Sequence, residues 1–152
     1  MTESSAICHF LVERYRQLEF GVAPSHPDYG AYLNFLYQSD ATLTFPQTIV
    51  LRYTHLEPPQ RRLAQAVEDY RAFFLGRLRW LDAHIAGREF LCDNRFTIAD
   101  ICIGYALYLG STPLIGAAEA YSPQTREYLA RLSARPAFQR ASTTGEPLPI
   151  PV

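Results

Sequence analysis

The segment FTIADICIGYALYLG, residues 96–110, limits the folds open to this chain more than any other stretch. Most of its residues are apolar, yet it contains Asp100, three residues after Thr97. That spacing is typical of a capping box, in which a threonine and an acidic side chain each accept a hydrogen bond from a backbone amide at the start of a helix. Phe96 and Ile101 occupy the two positions of a hydrophobic staple around such a cap. The segment therefore predicts a helix that begins at Thr97.

Asp100 has a structural role in this interpretation, because a carboxylate that closes a helix start needs no second function. A catalytic Asp100 is the alternative, and a variant with an unchanged melting temperature but no activity would support it. A helix that is apolar on every side is expected at the centre of a helical bundle. Gly104 has no Cβ, so it would let a neighbouring helix approach closely.

Residues 61–87 predict a long amphipathic helix, since their apolar side chains recur at steps of three or four. Gly87 would end it. Residues 27–59 predict a helix that is kinked or broken near Pro46. Pro58 and Pro59 then separate the two helices, which should pair antiparallel as in a bundle. The stripe on the long helix consists of Leu63, Val67, Tyr70, Phe74, Leu78, Leu81 and Ile85.

Near the end of the chain, Ser122 is a predicted N-cap, with Pro123 at the first helical position. Tyr128, Leu129 and Leu132 would form the buried side of this helix, and Pro136 would end it or begin a short last one. The proline-rich tail, residues 143–152, is expected to be extended over the surface or mobile. Because alternating apolar runs and hairpin turns are nearly absent, the predicted fold class is all-α, a helical bundle.

Composition excludes several classes of partner. A net charge of -1 and 48% hydrophobic residues argue against binding to nucleic acid or to an anionic membrane surface. The first residues have no signal-peptide pattern and no apolar run reaches spanning length, so a cytoplasmic protein is expected. The four histidines have no metal-ligand spacing, which predicts no metal site. The odd set of Cys8, Cys92 and Cys102 without a Cys-x-x-Cys pair predicts buried thiols.

Three segments resemble one family. AGREFLCDNRFTIADICIGYAL is similar to the signature of the C-terminal helical domain of cytosolic glutathione transferases, and LARLSARPAFQRA is similar to the end of that domain. ESSAICHFLVERY resembles the Glu-Ser-x-Ala-Ile helix that closes the family's thioredoxin-like domain. The resemblance implies that residues 1–20 are the last helix of a thioredoxin-like domain, residues 21–142 the helical domain, and residues 143–152 a tail.

The same resemblance implies that glutathione is a co-substrate and that Glu3 and Ser4 hold its γ-glutamyl end. A helix N-terminus offers free amides to a carboxylate, serine adds a donor, and glutamate accepts from the ammonium group. Without the family, Ser4 or Ser5 is simply an N-cap and Glu3 a favourable first-turn charge. The implied residues of the apolar substrate pocket are Tyr32, Phe35, Ser39 and Tyr105, although aromatic residues at helical spacing are more often core.

Two accounts of function remain open at this point. In the first, the chain is the helical part of a homodimeric transferase in which glutathione thiolate attacks a small apolar electrophile. The thiol-activating residue would lie in the thioredoxin-like domain, so no catalytic residue is assigned to these 152 residues. In the second, the chain is a transferase-like assembly module. The apolar stripe of the first helix, Ile7, Phe10, Leu11 and Tyr15, favours the second account, because it would bind a partner if no sheet covers it.

Overall fold

The computed structural model describes residues 1–143, which form seven α-helices and no β-strand. The all-α prediction is therefore confirmed for this part of the chain, and the predicted behaviour of the tail falls on residues 144–152, outside it. Short 3-10 turns occur at Leu18–Phe20, Pro59–Arg61 and Ala118–Ala120. The helices are α1 (Ser4–Arg14), α2 (Tyr29–Gln38), α3 (Phe45–Leu51), α4 (Ala64–Ile85), α5 (Ile98–Ser111), α6 (Pro123–Ser133) and α7 (Pro136–Thr143).

The helix predicted to be kinked or broken near Pro46 is irregular just before that residue but does not end there. Pro46 lies in the first turn of α3, where its missing amide costs little. The irregularity comes just before it, as a π-helical turn at Ser39–Thr44, and a second π turn follows α3 at Arg52–Leu56. The wide turn takes the carbonyl groups out of α-helical register where proline has no N–H to donate. The chain can therefore pass Pro46 without a break.

The α2–α3 segment and α4 pack against each other as an antiparallel pair, as predicted. The ring centre of Phe35, in α2, lies 5.1 Å from that of Trp80 and 4.8 Å from that of His84, both near the C-terminal end of α4. At the other end of the pair, His55 follows α3 and Arg71 lies in the N-terminal half of α4. Their side chains hydrogen-bond to consecutive carbonyl groups, those of Leu114 and Ile115. Gly87 has a φ of 74° after the last turn of α4, which is the left-handed conformation of a helix C-cap.

The predicted stripe on α4 is only half correct. Phe74, Leu78, Leu81 and Ile85 are buried in the core. Leu63, however, precedes the first helical residue, and Leu63 and Tyr70 are both exposed. Val67, between them, is partly buried against the core. The burial of the stripe therefore decreases toward the first turn of α4, although the apolar period of the sequence continues.

Helix α5 lies at the centre of the bundle and packs against α1, α2 and α6. A Cβ on Gly104 would lie 2.8 Å from Leu132 Cδ1 of α6, so the close approach predicted for this glycine is present. The predicted central position of α5 is therefore found, but the sequence did not indicate that one side of the helix is exposed. Ile101, Tyr105 and Tyr108 are 42%, 51% and 39% exposed, because one side of the helix faces a groove rather than another helix.

The start of α5 is closed by the capping box of Thr97 and Asp100. The Thr97 amide and hydroxyl donate to Asp100 Oδ2 at 2.8 and 3.2 Å. The other carboxylate oxygen accepts from the Leu91 amide at 3.0 Å and from the Tyr128 hydroxyl at 2.8 Å. Asp100 is fully buried, and this burial raises its pKa while the four hydrogen bonds oppose the rise. The carboxylate therefore joins α5, α6 and the preceding loop.

The start of α6 is capped as the sequence predicts. Ser122 Oγ accepts from the Thr125 amide at 3.0 Å, and Pro123 takes the first helical position. A partner that the sequence did not indicate is Asp82 of α4, whose Oδ1 accepts from the Ser122 hydroxyl and, at 2.6 Å, from the Thr125 hydroxyl. Pro136 begins the short helix α7. The C-terminal helices are thus tied to α4 at their first turn.

No helix within residues 1–143 has both the length and the apolar composition to cross a membrane. In the same range, the His, Cys, Asp and Glu side chains form no cluster of three that could hold a metal ion.

Candidate functional site

The N-terminus of α1 is open. Glu3 is the N-cap, with extended backbone, and no side chain caps the helix. The first helical hydrogen bond runs from the Ile7 amide to the Glu3 carbonyl at 2.9 Å, so the amides of Ser4, Ser5 and Ala6 have no carbonyl partner within the helix. The interpretation of Ser4 or Ser5 as N-cap, with Glu3 in the first turn, is therefore wrong. Ser4 comes one position, and Ser5 two positions, too late to close this helix start.

Polar side chains of the π turn face this helix start. Asp40 Oδ1 accepts from Ser4 Oγ at 3.2 Å and from Ser39 Oγ at 3.4 Å. Ser39 Oγ also lies 3.4 Å from Ser5 Oγ. Free amides and a serine hydroxyl thus stand beside two carboxylates, Glu3 and Asp40. This arrangement can receive a group that carries a carboxylate and an ammonium side by side.

A cleft of about 290 Å³ opens at this position. Asp40 is a residue that sequence reasoning missed, because its partner Ser4 is 36 residues away and the contact depends on how α1 docks on the π turn. The residues that line the cleft are Glu3, Ser5, Ala6, His9, Leu36, Tyr37, Asp40 and Ala41.

An apolar groove runs between α1, α5 and α7. It consists of two adjoining cavities of about 510 and 310 Å³. Both are lined by Phe96, Ile101, Arg135 and Ala137. The one charged side chain among these four, Arg135, lies with its guanidinium carbon 3.6 Å from the centre of the Phe96 ring. The groove can therefore hold an apolar molecule, with a single cation at its wall.

The four residues predicted for the substrate pocket do not come together. Tyr32, Phe35 and Ser39 are 1%, 0% and 2% exposed. They are therefore buried residues that a substrate cannot reach. Tyr32 stacks on Tyr29, and burial raises its pKa. Tyr105, in contrast, is half exposed and lines the apolar groove. Helical spacing gives the same pattern for core and pocket, and only the packing separates them.

The buried thiols predicted from the odd cysteine count are found at Cys92 and Cys102, whereas Cys8 is only half-buried. Cys8 lines the apolar groove. The groove side of α1 therefore carries a thiol that the sequence interpretation had placed in the core.

The family model described as "Glutathione S-transferase, C-terminal domain" matches residues 44–136. The chain belongs to this family. The matched range of this glutathione transferase domain includes the capping box and Tyr105, whereas Glu3, Ser4 and Asp40 precede it. No curated protein sequence matches the chain.

Solved structures resemble the domain over nearly all of its length. Ure2p5 from Phanerochaete chrysosporium has a TM-score of 0.83 and 21% identity, covering 95% of this chain and 68% of that one. Ure2p6 from the same fungus has a TM-score of 0.81 and 24% identity, covering 95% and 66%. A glutathione transferase family member from Pseudomonas fluorescens has a TM-score of 0.71 and 25% identity, covering 91% and 61%. The chain thus spans about two thirds of the length of these proteins.

Proposed function

We propose that this domain is the helical part of a glutathione transferase and that the start of α1 binds the γ-glutamyl end of glutathione. The observation that carries the proposal is the uncapped helix start beside Asp40, in a chain of this family. The γ-glutamyl carboxylate would accept from the free amides and from Ser4, favoured by the helix dipole. Glu3 and Asp40 would accept from the ammonium group. One cleft thereby matches both charges of this end of the peptide.

Relatives with glutathione support the choice of ligand. Ure2p5 was cocrystallized with 1-(S-glutathionyl)-2,4-dinitrobenzene, Ure2p6 was solved in complex with oxidized glutathione, and the Pseudomonas protein with two glutathione molecules bound. As part of the same proposal, residues 1–20 are the end of a thioredoxin-like domain and residues 21–142 the helical domain. A cytoplasmic location goes with this assignment.

The apolar groove is the proposed site for the electrophile. Tyr105, Ile101 and Phe138 line it and offer aromatic and aliphatic surface to a small apolar molecule. In a transferase, binding of both reactants brings the glutathione thiolate within reach of the electrophilic carbon, so that positioning lowers the barrier to attack. The residues of this chain bind and orient the two reactants. Activation of the thiol is assigned to none of them.

Isothermal titration of the 152-residue chain with reduced glutathione tests the site. Replacement of Ser4 by alanine is expected to weaken binding about tenfold, since a hydrogen bond to a charged group contributes about 1.5 kcal/mol or more. Ser111→Ala is the matched control, because Ser111 is the last residue of α5 and lines no part of the cleft. Its hydroxyl donates to the Tyr108 carbonyl. Equal affinities for wild type and Ser4→Ala would contradict the site, as would the absence of binding at millimolar glutathione.

A second candidate function, a non-catalytic assembly module, is favoured by the surface of α1. Phe10, Leu11 and Tyr15 are 49%, 46% and 64% exposed, and exposed apolar surface of this kind marks binding sites for other proteins. A homodimer is proposed under either account. Light scattering would then give a mass near twice 17.3 kDa. A dimer that Leu11→Glu dissociates and that binds no glutathione would favour the assembly module over the transferase.

A further inference from the structure

Arg135 places a positive charge in the apolar groove and has no anionic partner there. It lies in the turn between α6 and α7 and lines both cavities. Its guanidinium carbon lies over the Phe96 ring, 3.6 Å from the ring centre. Within residues 1–143, no carboxylate forms an ion pair with it and no acceptor takes a hydrogen bond from its side chain. Because arginine stays charged at physiological pH, the groove holds an unpaired cation.

The contact with Phe96 leaves the hydrogen-bonding capacity of Arg135 intact. A guanidinium that stacks on an aromatic ring uses its face, whereas its N–H groups point outward in its own plane. Two of these donors match the two oxygens of a carboxylate, or two oxygens of a similar anion. Stacking also restricts the side chain before a ligand arrives, so less conformational entropy is lost on binding. Arg135 is therefore prepared to receive an anionic group.

The one carboxylate at the groove wall is already fully engaged. Asp100 lines the smaller cavity but is fully buried. Its two oxygens accept hydrogen bonds from the amide and hydroxyl of Thr97, the amide of Leu91 and the hydroxyl of Tyr128. Among the described residues, no other Asp or Glu and no second Lys or Arg lines either cavity. An anionic ligand thus has a single cation to pair with, at Arg135.

We propose that the groove binds small amphipathic acids, with the anionic group at Arg135 and the apolar body in the adjoining cavities. The cavities, of about 510 and 310 Å³, are in the range that holds a small organic molecule. A wholly apolar ligand would cover Arg135 without giving it a partner, which costs free energy. The substrate assignment rests on the proposed function: the preferred electrophiles of the domain carry a carboxylate or sulfonate at one end.

The test is fluorescence titration of the chain with two probes that share the same rings. The probes are 8-anilinonaphthalene-1-sulfonate and N-phenyl-1-naphthylamine, which differ only in the sulfonate. Wild type is expected to bind the anionic probe about fivefold more tightly, as for a partly exposed ion pair. Arg135→Gln is expected to bind the two probes equally. Arg140→Gln is the matched control, because Arg140 is on α7 but lines neither cavity, and it should keep the preference.

A second variant neutralises the cation without removing it. Ala137 is exposed and lines both cavities in the first turn of α7, where a glutamate is compatible with the helix. Ala137→Glu is expected to abolish the preference for the anionic probe, since its carboxylate would compete for Arg135. Far-UV circular dichroism establishes that each variant is folded.

Three results would overturn the proposal: equal affinities of the two probes for wild type, a preference that survives Arg135→Gln, or no binding of either probe. Titration of wild type with reduced glutathione separates such a failure from failure of the proposed function. Glutathione binding without the anion preference would overturn the assignment of the groove alone. The preference without glutathione binding would support the groove as a site for acids and contradict the proposed function.

Discussion

The N-termini of α5 and α1 differ in whether side chains cap them. At α5, the Asp100 carboxylate accepts four hydrogen bonds and is fully buried. At α1, Glu3 caps nothing with its side chain, and Glu3, Ser5 and Ala6 line a cleft. A helix start that side chains close contributes stability, whereas one left open keeps its donors for a ligand. The comparison separates residues that hold the domain together from residues that are free to bind.

Removal of Asp100 should have the largest effect on stability. Asp100→Ala deletes the cap and also leaves the buried Leu91 amide and Tyr128 hydroxyl without their acceptor. We expect a loss of about 3 to 5 kcal/mol in the free energy of unfolding, measured by urea denaturation. This exceeds the roughly 0.5 to 2 kcal/mol of a cap alone. A loss within that smaller range would show that the bonds to Leu91 and Tyr128 contribute little.

Tyr128→Phe tests the link between α5 and α6 alone. Burial raises the pKa of Tyr128 well above its ordinary value, so the hydroxyl stays protonated and donates to Asp100. The variant keeps the ring and removes this bond, and we expect a loss of about 2 kcal/mol. Chemical denaturation of the variant beside wild type gives the value. Tyr105→Phe on the exposed side of α5 is the matched control, and an equal effect there would contradict the assignment.

The loss of stability expected at the start of α6 is intermediate, because its cap is a serine that is only partly buried. Ser122→Ala removes the acceptor for the Thr125 amide and one donor to Asp82. A loss of about 1 kcal/mol is expected, as a lower melting temperature in calorimetry. Ser133→Ala, at the other end of α6, should be nearly neutral. A Ser122→Ala variant as stable as wild type would mean that Thr125 alone anchors α6 on Asp82.

The smallest effect on stability is expected at the open helix start. Ser4→Ala loses one exposed bond to Asp40, and a change below about 0.5 kcal/mol is typical of such sites. Thermal unfolding without ligand measures it. A loss of more than about 1 kcal/mol would indicate that Ser4 is part of the scaffold, and the contrast between α1 and α5 would then fail.

Features whose partners lie within a few residues were predictable from the sequence. The box at Thr97 and Asp100 and the cap at Ser122 depend on local spacing, and both helices begin where that spacing indicates. The family resemblance supplied the arrangement of the bundle. Contacts such as Ser4 with Asp40 and Ser122 with Asp82 join residues 36 and 40 positions apart, and no periodicity encodes them. For the same reason, spacing could not distinguish the core residue Phe35 from the groove residue Tyr105.

Gly104 leaves room for the Leu132 side chain beside the apolar groove. The residue sits at the crossing of α5 and α6, where a methyl group would lie 2.8 Å from Leu132, and Leu132 and Phe138 both line the groove. A Cβ at this position would displace the tip of the Leu132 side chain, and this side chain also lines the groove. The space available to a ligand therefore depends on the residue at position 104 as well as on the larger side chains around the groove. Among related chains, the residue at this crossing is expected to vary with the size of the molecule that each groove accepts.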